Sequence, residues 1–378
     1  MRLRGLLIVL TGLTLLAAFA TAASAQEYTF TKVADSDEDG FAAEEFGCSA
    51  INNRGVIAFR AGRVAPDGFN TTPGIYRVTR NGSLITIVEN ERRFDFLSRS
   101  PGLNDRGHVS FAATLDRGGE AVFRGSRSGL TPIARTAKEF NFFGFNTSLN
   151  NDGRVAFKAE LDNFDEGLFS GRAGRVTTHY LASTSHFDGN FSRPSINNVG
   201  NIAFEERRSG VQGIFVTSDG GFTTIAEAQQ PNGFVGDPAL NDAGTVAFVE
   251  AFDDEQGNQV FAIQTGNGGP LTTIVDTRGE FAFFDLRAPA FNNLGDIAFF
   301  GELDSDTFPP PSGIFVGPDP VEDRVIGAGD TLDGETVTAV GICEDGLNDS
   351  GQLAFTAIFE DPNTFERRVA VFRATPGA

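Results

Sequence analysis

Beyond the first 25 residues, short apolar runs alternate with polar clusters rich in Asn, Asp and Gly, and no stretch carries the 3.6-residue spacing of an amphipathic helix. One phrase recurs seven times, first as Ile51-Asn-Asn-Arg-Gly-Val-Ile-Ala-Phe59 and last from Leu347 to Phe355. Its leading asparagines, Asn52, Asn104, Asn150, Asn197, Asn241, Asn292 and Asn348, are spaced by 52, 46, 47, 44, 51 and 56 residues. Each is followed three places later by glycine: Gly55, Gly107, Gly153, Gly200, Gly244, Gly295 and Gly351. An Asn side chain can bond the backbone two residues on, and glycine can take the left-handed conformation, so the phrase reads as strand, tight turn, strand. The closing Ala-Phe pair then sets a small and a large residue on opposite sheet faces, as stacked sheets require; Ser110 replaces the alanine in the second copy. The asparagines stand at a fixed place before a turn glycine, which gives them a structural role rather than that of a ligand ring.

Between copies there is room for two more strands, such as Gly213–Val216 and Phe222–Ala226, which gives four per repeat. Seven four-stranded repeats at this period predict an all-β fold, a seven-bladed β-propeller with antiparallel blades. The last copy lacks its fourth strand, and Tyr28–Ala34 supplies a matching one, so the N-terminal strand is expected to complete blade seven and close the ring. Cys48 and Cys343 lie on the pre-turn strands of blades one and seven, which meet only if the ring closes. A disulfide there would staple the seam; two buried free thiols are the alternative.

The first 25 residues, with Arg2 and Arg4, an apolar run from Leu6 to Ala20 and the ending Ala23-Ser24-Ala25, have the pattern of a cleaved Sec-type signal peptide. The remainder, 26–378, is expected to be a single propeller domain without a transmembrane segment, secreted or held in the periplasm or at the cell surface. Its charge excludes nucleic acid and anionic membranes as partners: the full chain carries −20, and the leader takes two arginines with it. Thirty-eight phenylalanines and no tryptophan fit a packed core better than a sugar-stacking surface.

The seven Asn-x-x-Gly-x-x-Ala-Phe phrases resemble the motif of the bacterial "choice-of-anchor" NxxGxxAF tandem-repeat family, and Gly329-Asp-Thr-Leu-Asp-Gly334 is similar to its spacer. The resemblance implies an exported repeat protein of uncharacterised function, often held at the cell surface by a C-terminal sorting signal. Ala374–Ala378 has no apolar tail, so free secretion is expected instead.

Candidate chemistry is sparse. Asp35, Asp37 and Asp39, with Gly40 behind them, alternate like the opening of a calcium loop, although Ala43 and Phe46 fall where further ligands belong. No other cofactor is indicated. After each Ala-Phe strand comes a loop bearing acids (Asp116; Asp162 and Asp165; Asp253 and Asp254; Asp304 and Asp306; Glu360 and Asp361), which predicts an acidic rim on one face. His108, His179 and His186 stand in non-equivalent places, and no catalytic set is evident. The expected function is that of a non-enzymatic extracellular scaffold or binding module, a monomer holding a protein, glycan or cation. A propeller-type hydrolase or lyase acting on an extracellular glycan, and a calcium-stabilised structural surface protein, are the alternatives.

Overall fold

A computed structural model describes residues 26–377 apart from 69, 91–92, 138, 183–191, 209, 219–220 and 230–231; the expected leader and His186 fall outside these residues. Seven antiparallel sheets follow one another along the chain as a propeller's blades. Blade 1 runs from the axis outward as Ser49–Ile51, Ile57–Val64, Thr71–Val78 and Leu84–Glu89. Blade 7 takes three strands from the C-terminal region, Ala339–Leu347, Leu353–Glu360 and Arg367–Pro376, and its outer strand is Tyr28–Asp35. That strand pairs from Tyr28 opposite Pro376 to Asp35 opposite Ala370, with one bulge between Lys32 and Ala34.

The phrase packs as its pattern implies. The phenylalanine of each Ala-Phe pair is buried, and in six blades an aromatic residue stands directly across the strand pair: Tyr76, Phe123, Phe169, Phe215, Phe315 and Phe372. These rings lie with centroids 5.4 to 5.8 Å apart. Each such side chain taken from water contributes about 1.5–3 kcal/mol. The alanine points the other way, into the next blade: Ala58 joins the core of blade 2, and Ala354 that of blade 1 across the seam. Ser110, the exception, keeps its hydroxyl satisfied 2.9 Å from Thr147 of blade 3. In blade 5 the residue opposite Phe248 is Gln264, which donates to the buried carboxylate of Glu250 at 3.3 Å.

The turns are wired to one another as well as to themselves. Asn52 Oδ1 accepts from the N–H groups of Arg54 and Val56, both at 3.0 Å, while its Nδ2 donates to the carbonyl of Asn104 at 2.9 Å. The same link joins Asn348 back to Asn52 at 2.9 Å. A second circuit uses the following residue. The N–H of Asn53 donates to Asp105, Asp105 to Asn151, Asn151 to Asn198, Asn198 to Asp242, Asp242 to Asn293, Asn293 to Asp349, and Asp349 back to Asn53. All seven bonds are 2.7 to 2.9 Å, so the circle is complete.

Because every blade is antiparallel, the asparagine turns share one end of the axis with the turns between third and outer strands. The loops between second and third strands, and the crossovers between blades, share the other. The expected acidic loops therefore all reach that second end, and only blade 4, whose loop carries Arg207, departs from the pattern among the described residues.

Candidate functional site

The axis has two unlike ends. At the asparagine end a depression of about 140 Å³ is lined by the two rings just described. Three of its acids are spent on the ring itself: the second oxygens of Asp105, Asp242 and Asp349 accept from the Nδ2 groups of Asn151, Asn198 and Asn53 at 2.7, 3.0 and 2.8 Å. The repeat asparagines thus hold turns and join blades.

Inner-strand residues bring charge together along the axis behind this ring, where Asp345 also lines the depression. Arg193 precedes the inner strand of blade 4, is buried, and reaches across the axis to blade 7. Its Nε lies 3.0 Å from Glu344 Oε1, its Nη2 lies 2.5 Å from Asp345 Oδ2, and Nε also donates to the carbonyl of Thr147 at 3.2 Å. Its backbone N–H donates to Asp237 Oδ1 of blade 5 at 3.2 Å. Lys158 of blade 3 donates to the carbonyl of Glu205 at 2.5 Å and sits 3.7 Å from Glu206. Burial first, and then the Glu344 carboxylate, push the Asp237 carboxyl up to about 7 against the opposing pull of Lys158 and the Arg193 N–H.

That shift fixes the sign of a pH effect. A carboxyl whose folded pKa is raised keeps its proton in the native state while the unfolded chain has lost it, so stability falls as pH rises from about 4 to about 7. The slope approaches about 1.4 kcal/mol per pH unit. Asp237→Asn is expected to flatten this stretch and to gain on the wild type at pH 8. Denaturation midpoints at pH 5 and pH 8 check it, and parallel curves for the two proteins would contradict the assignment.

Beside this cluster Cys48 and Cys343 are joined, Sγ to Sγ at 2.14 Å with Cα atoms 5.7 Å apart, linking the inner edges of blades 1 and 7. Arg287, held by Asp285 at 2.5 Å, places its Nη1 3.7 and 3.8 Å from the two sulfurs. The two cysteines and Glu344 form the sole group of three metal-type ligands that converges among the described residues, and the disulfide occupies both sulfurs. Phe96, Phe142 and Phe145 pack edge to face, with centroids 4.8 and 5.8 Å apart, where blades 2 and 3 leave their crossovers.

Asp35, Asp37 and Asp39 are not drawn round one point. They flank a single helical turn, Ser36–Asp39. Buried Asp35 is committed to Arg368 at 2.5 Å and Lys32 at 3.4 Å. Burial alone would raise its pKa, but the bond to Arg368 outweighs that and holds it below the ordinary carboxylate range. Asp39 accepts from the N–H of Asp35, and Asp37 from the Ser36 hydroxyl. The turn closes the outer edge of blade 7 with a cation already supplied by the protein. His108 lies in the blade 2 turn, and His179 Nε2 is 2.8 Å from Ser170 Oγ on the outer half of blade 3. Burial, and then Arg154, lower the His179 pKa.

Aligning the repeats on their asparagines exposes the signal for this cluster. Four places before the asparagine stand Cys48, Arg193, Asp237, Ala288 and Glu344 in blades 1, 4, 5, 6 and 7, a column that varies while the asparagine and glycine of the turn repeat.

Fold and site define a seven-bladed β-propeller with a stapled seam, an asparagine ring at one end of its axis and ion pairs across the axis behind that ring. The chain belongs to the Family of unknown function (DUF7453), whose pattern matches residues 90–373. A comparison with curated proteins finds no match. Among solved structures, it is similar to the β-propeller domain of the trilobed protease from Pyrococcus furiosus, at 9% identity over 87% of this chain and 94% of that one, TM-score 0.51. It is also similar to the acylaminoacyl peptidase of Pyrococcus horikoshii, at 9% identity over 86% of this chain, TM-score 0.50; there it spans 51% of the other protein's length. At such identity the likeness is one of fold. The Pyrococcus furiosus domain is described as having an open velcro topology, whereas this ring is closed by its N-terminal strand.

Proposed function

We propose that this is an exported, non-enzymatic binding module that takes up its partner on the acidic end. The observation that carries the reading is Arg193. By bridging blade 4 to Glu344 and Asp345 of blade 7, it pairs the charged groups of the axis with one another and braces the ring that carries the acidic loops. Acidic loops held on a preorganised ring suit recognition. Immobilised protein is expected to retain a component of its own culture's secreted fraction, and a variant with Asp162, Asp165, Asp304, Asp306 and Asp361 changed to Asn is expected to release it. Retention of nothing by the wild type, or of the same component by the variant, would defeat the reading.

A second reading, a hydrolase or lyase acting on an extracellular glycan, is favoured by Asp237 alone. A carboxyl half-protonated near neutrality, with the carboxylate of Glu344 acting on it, is what general acid catalysis on glycans employs. Release of reducing ends or of unsaturated uronates from acidic polysaccharides, lost in Asp237→Asn, would support it over the first.

A further inference from the structure

The loops that reach the acidic end share a turn, and two of them break its conformational rule. In blade 2 the N–H of Gly118 donates to Leu115 at 2.8 Å and that of Leu115 to Gly119 at 2.9 Å, with Gly118 left-handed at φ 85°. Blade 5 repeats this with Gly257 at φ 82°. Blade 3 makes the same two bonds, Phe164 to Leu161 and Leu161 to Asp165, both at 2.8 Å, but the left-handed residue is Phe164 at φ 66°. A loop one residue longer in blade 7 places Phe365 at φ 58°, its N–H donating to Asp361 at 2.9 Å. Glycine takes this conformation freely and a bulky side chain does so under strain.

Packing does not repay the strain. The side chains of Phe164 and Phe365 are 61% and 74% exposed, and on the corresponding loop of blade 6 Phe308 is 98% exposed. Each of these phenylalanines has acids close to it along the chain: Asp162 and Asp165, Asp304 and Asp306, Asp361 and Glu366. An aromatic face beside carboxylates is matched to a cation carried on an apolar stem, which meets the ring by cation–π attraction and the acid by ion pairing. An anionic bilayer is repelled by the same acids.

We infer that Phe164, Phe308 and Phe365 are the grips of a docking surface for a basic polypeptide, each tip taking a Lys or Arg side chain. This rests on the binding reading and names its partner class. The probes are labelled nona-arginine, a Gly-Ser peptide of equal length and phosphatidylcholine vesicles, titrated into wild type and into a Phe164→Gly, Phe308→Ser, Phe365→Gly variant. Wild type is expected to bind nona-arginine alone, and the variant about tenfold more weakly, the yield of two or three cation–π contacts. The variant is also expected to melt no lower, because two strained residues have become glycine. Equal affinity of the two proteins for nona-arginine would overturn the inference, as would loss of vesicle binding in place of peptide binding. If wild type retains a secreted component that the triple variant also retains, the binding reading stands and this inference falls. If wild type holds neither component nor peptide, both fall.

Discussion

Arg193→Met is expected to cost about 3 kcal/mol or a little more of folding stability at pH 8, the penalty for taking a buried guanidinium from Glu344 and the partly exposed Asp345. In a chain of this length that lowers the melting midpoint by roughly 4 °C or a little more, at about 1.4 °C per kcal/mol. The reason is geometric. Glu344 and Asp345 meet the guanidinium at 3.0 and 2.5 Å, Asp237 lies on its backbone side, and none of them has a second cation at such range among the described residues. Two controls separate this from loss of packing. Arg193→Lys, which keeps a positive charge at the site, is expected to lose less than Arg193→Met. Adding Glu344→Gln and Asp345→Asn to Arg193→Met is expected to restore most of the loss, since removing both sides of a buried pair costs far less than removing one. A single variant no less stable than the triple one would refute the crossbar's role.

Cutting the Cys48–Cys343 bond is the second large effect. The cysteines are 295 residues apart in sequence, and a link over so long a loop restrains the unfolded chain by an amount the chain-entropy account puts at about 6 kcal/mol, with about 3–5 kcal/mol the expected measured loss. Reduction, or the double change Cys48→Ala with Cys343→Ala, is expected to lower the midpoint by roughly 4–7 °C. Amide exchange adds the location. Faster exchange is expected on the seam strands Ser49–Ile51 and Ala339–Leu347, with blades 3 and 4 unaffected under native conditions. Uniform acceleration round the ring, or no loss on reduction, would show that the N-terminal strand alone secures closure.

The ring was legible because its determinants are local. Asn, Gly and Ala-Phe each act within a few residues of their own position, so Asn52 through Phe59 encodes a turn and a packing face without reference to the rest of the chain. What escaped depends on partners distant in sequence. Nothing around Asn53 announces that its oxygen will serve the backbone of Asp349, 296 residues away. Arg193 resembles any surface arginine before a proline until the ring sets it opposite Glu344 and Asp345. Asp35, Asp37 and Asp39 look like a metal loop until Arg368, 333 residues on, claims Asp35. The inner strands also extend beyond the repeated phrase. In blade 2, Phe94–Leu97 pairs with the second strand ahead of Gly102–Leu103, and its Phe-Asp-Phe-Leu pattern carries the alternation that identifies it.

The circuit through Asn53, Asp105, Asn151, Asn198, Asp242, Asn293 and Asp349 runs one way, each backbone N–H served by the following blade. It therefore has no first or last member, and the bond across the seam runs from a backbone N–H to a side-chain oxygen as the other six do. A chain cut open in any of the outer loops, with Tyr28 joined to Pro376, would rebuild the identical circle from a different starting blade. The cysteine pair and the two-part blade 7 are what set the seam apart.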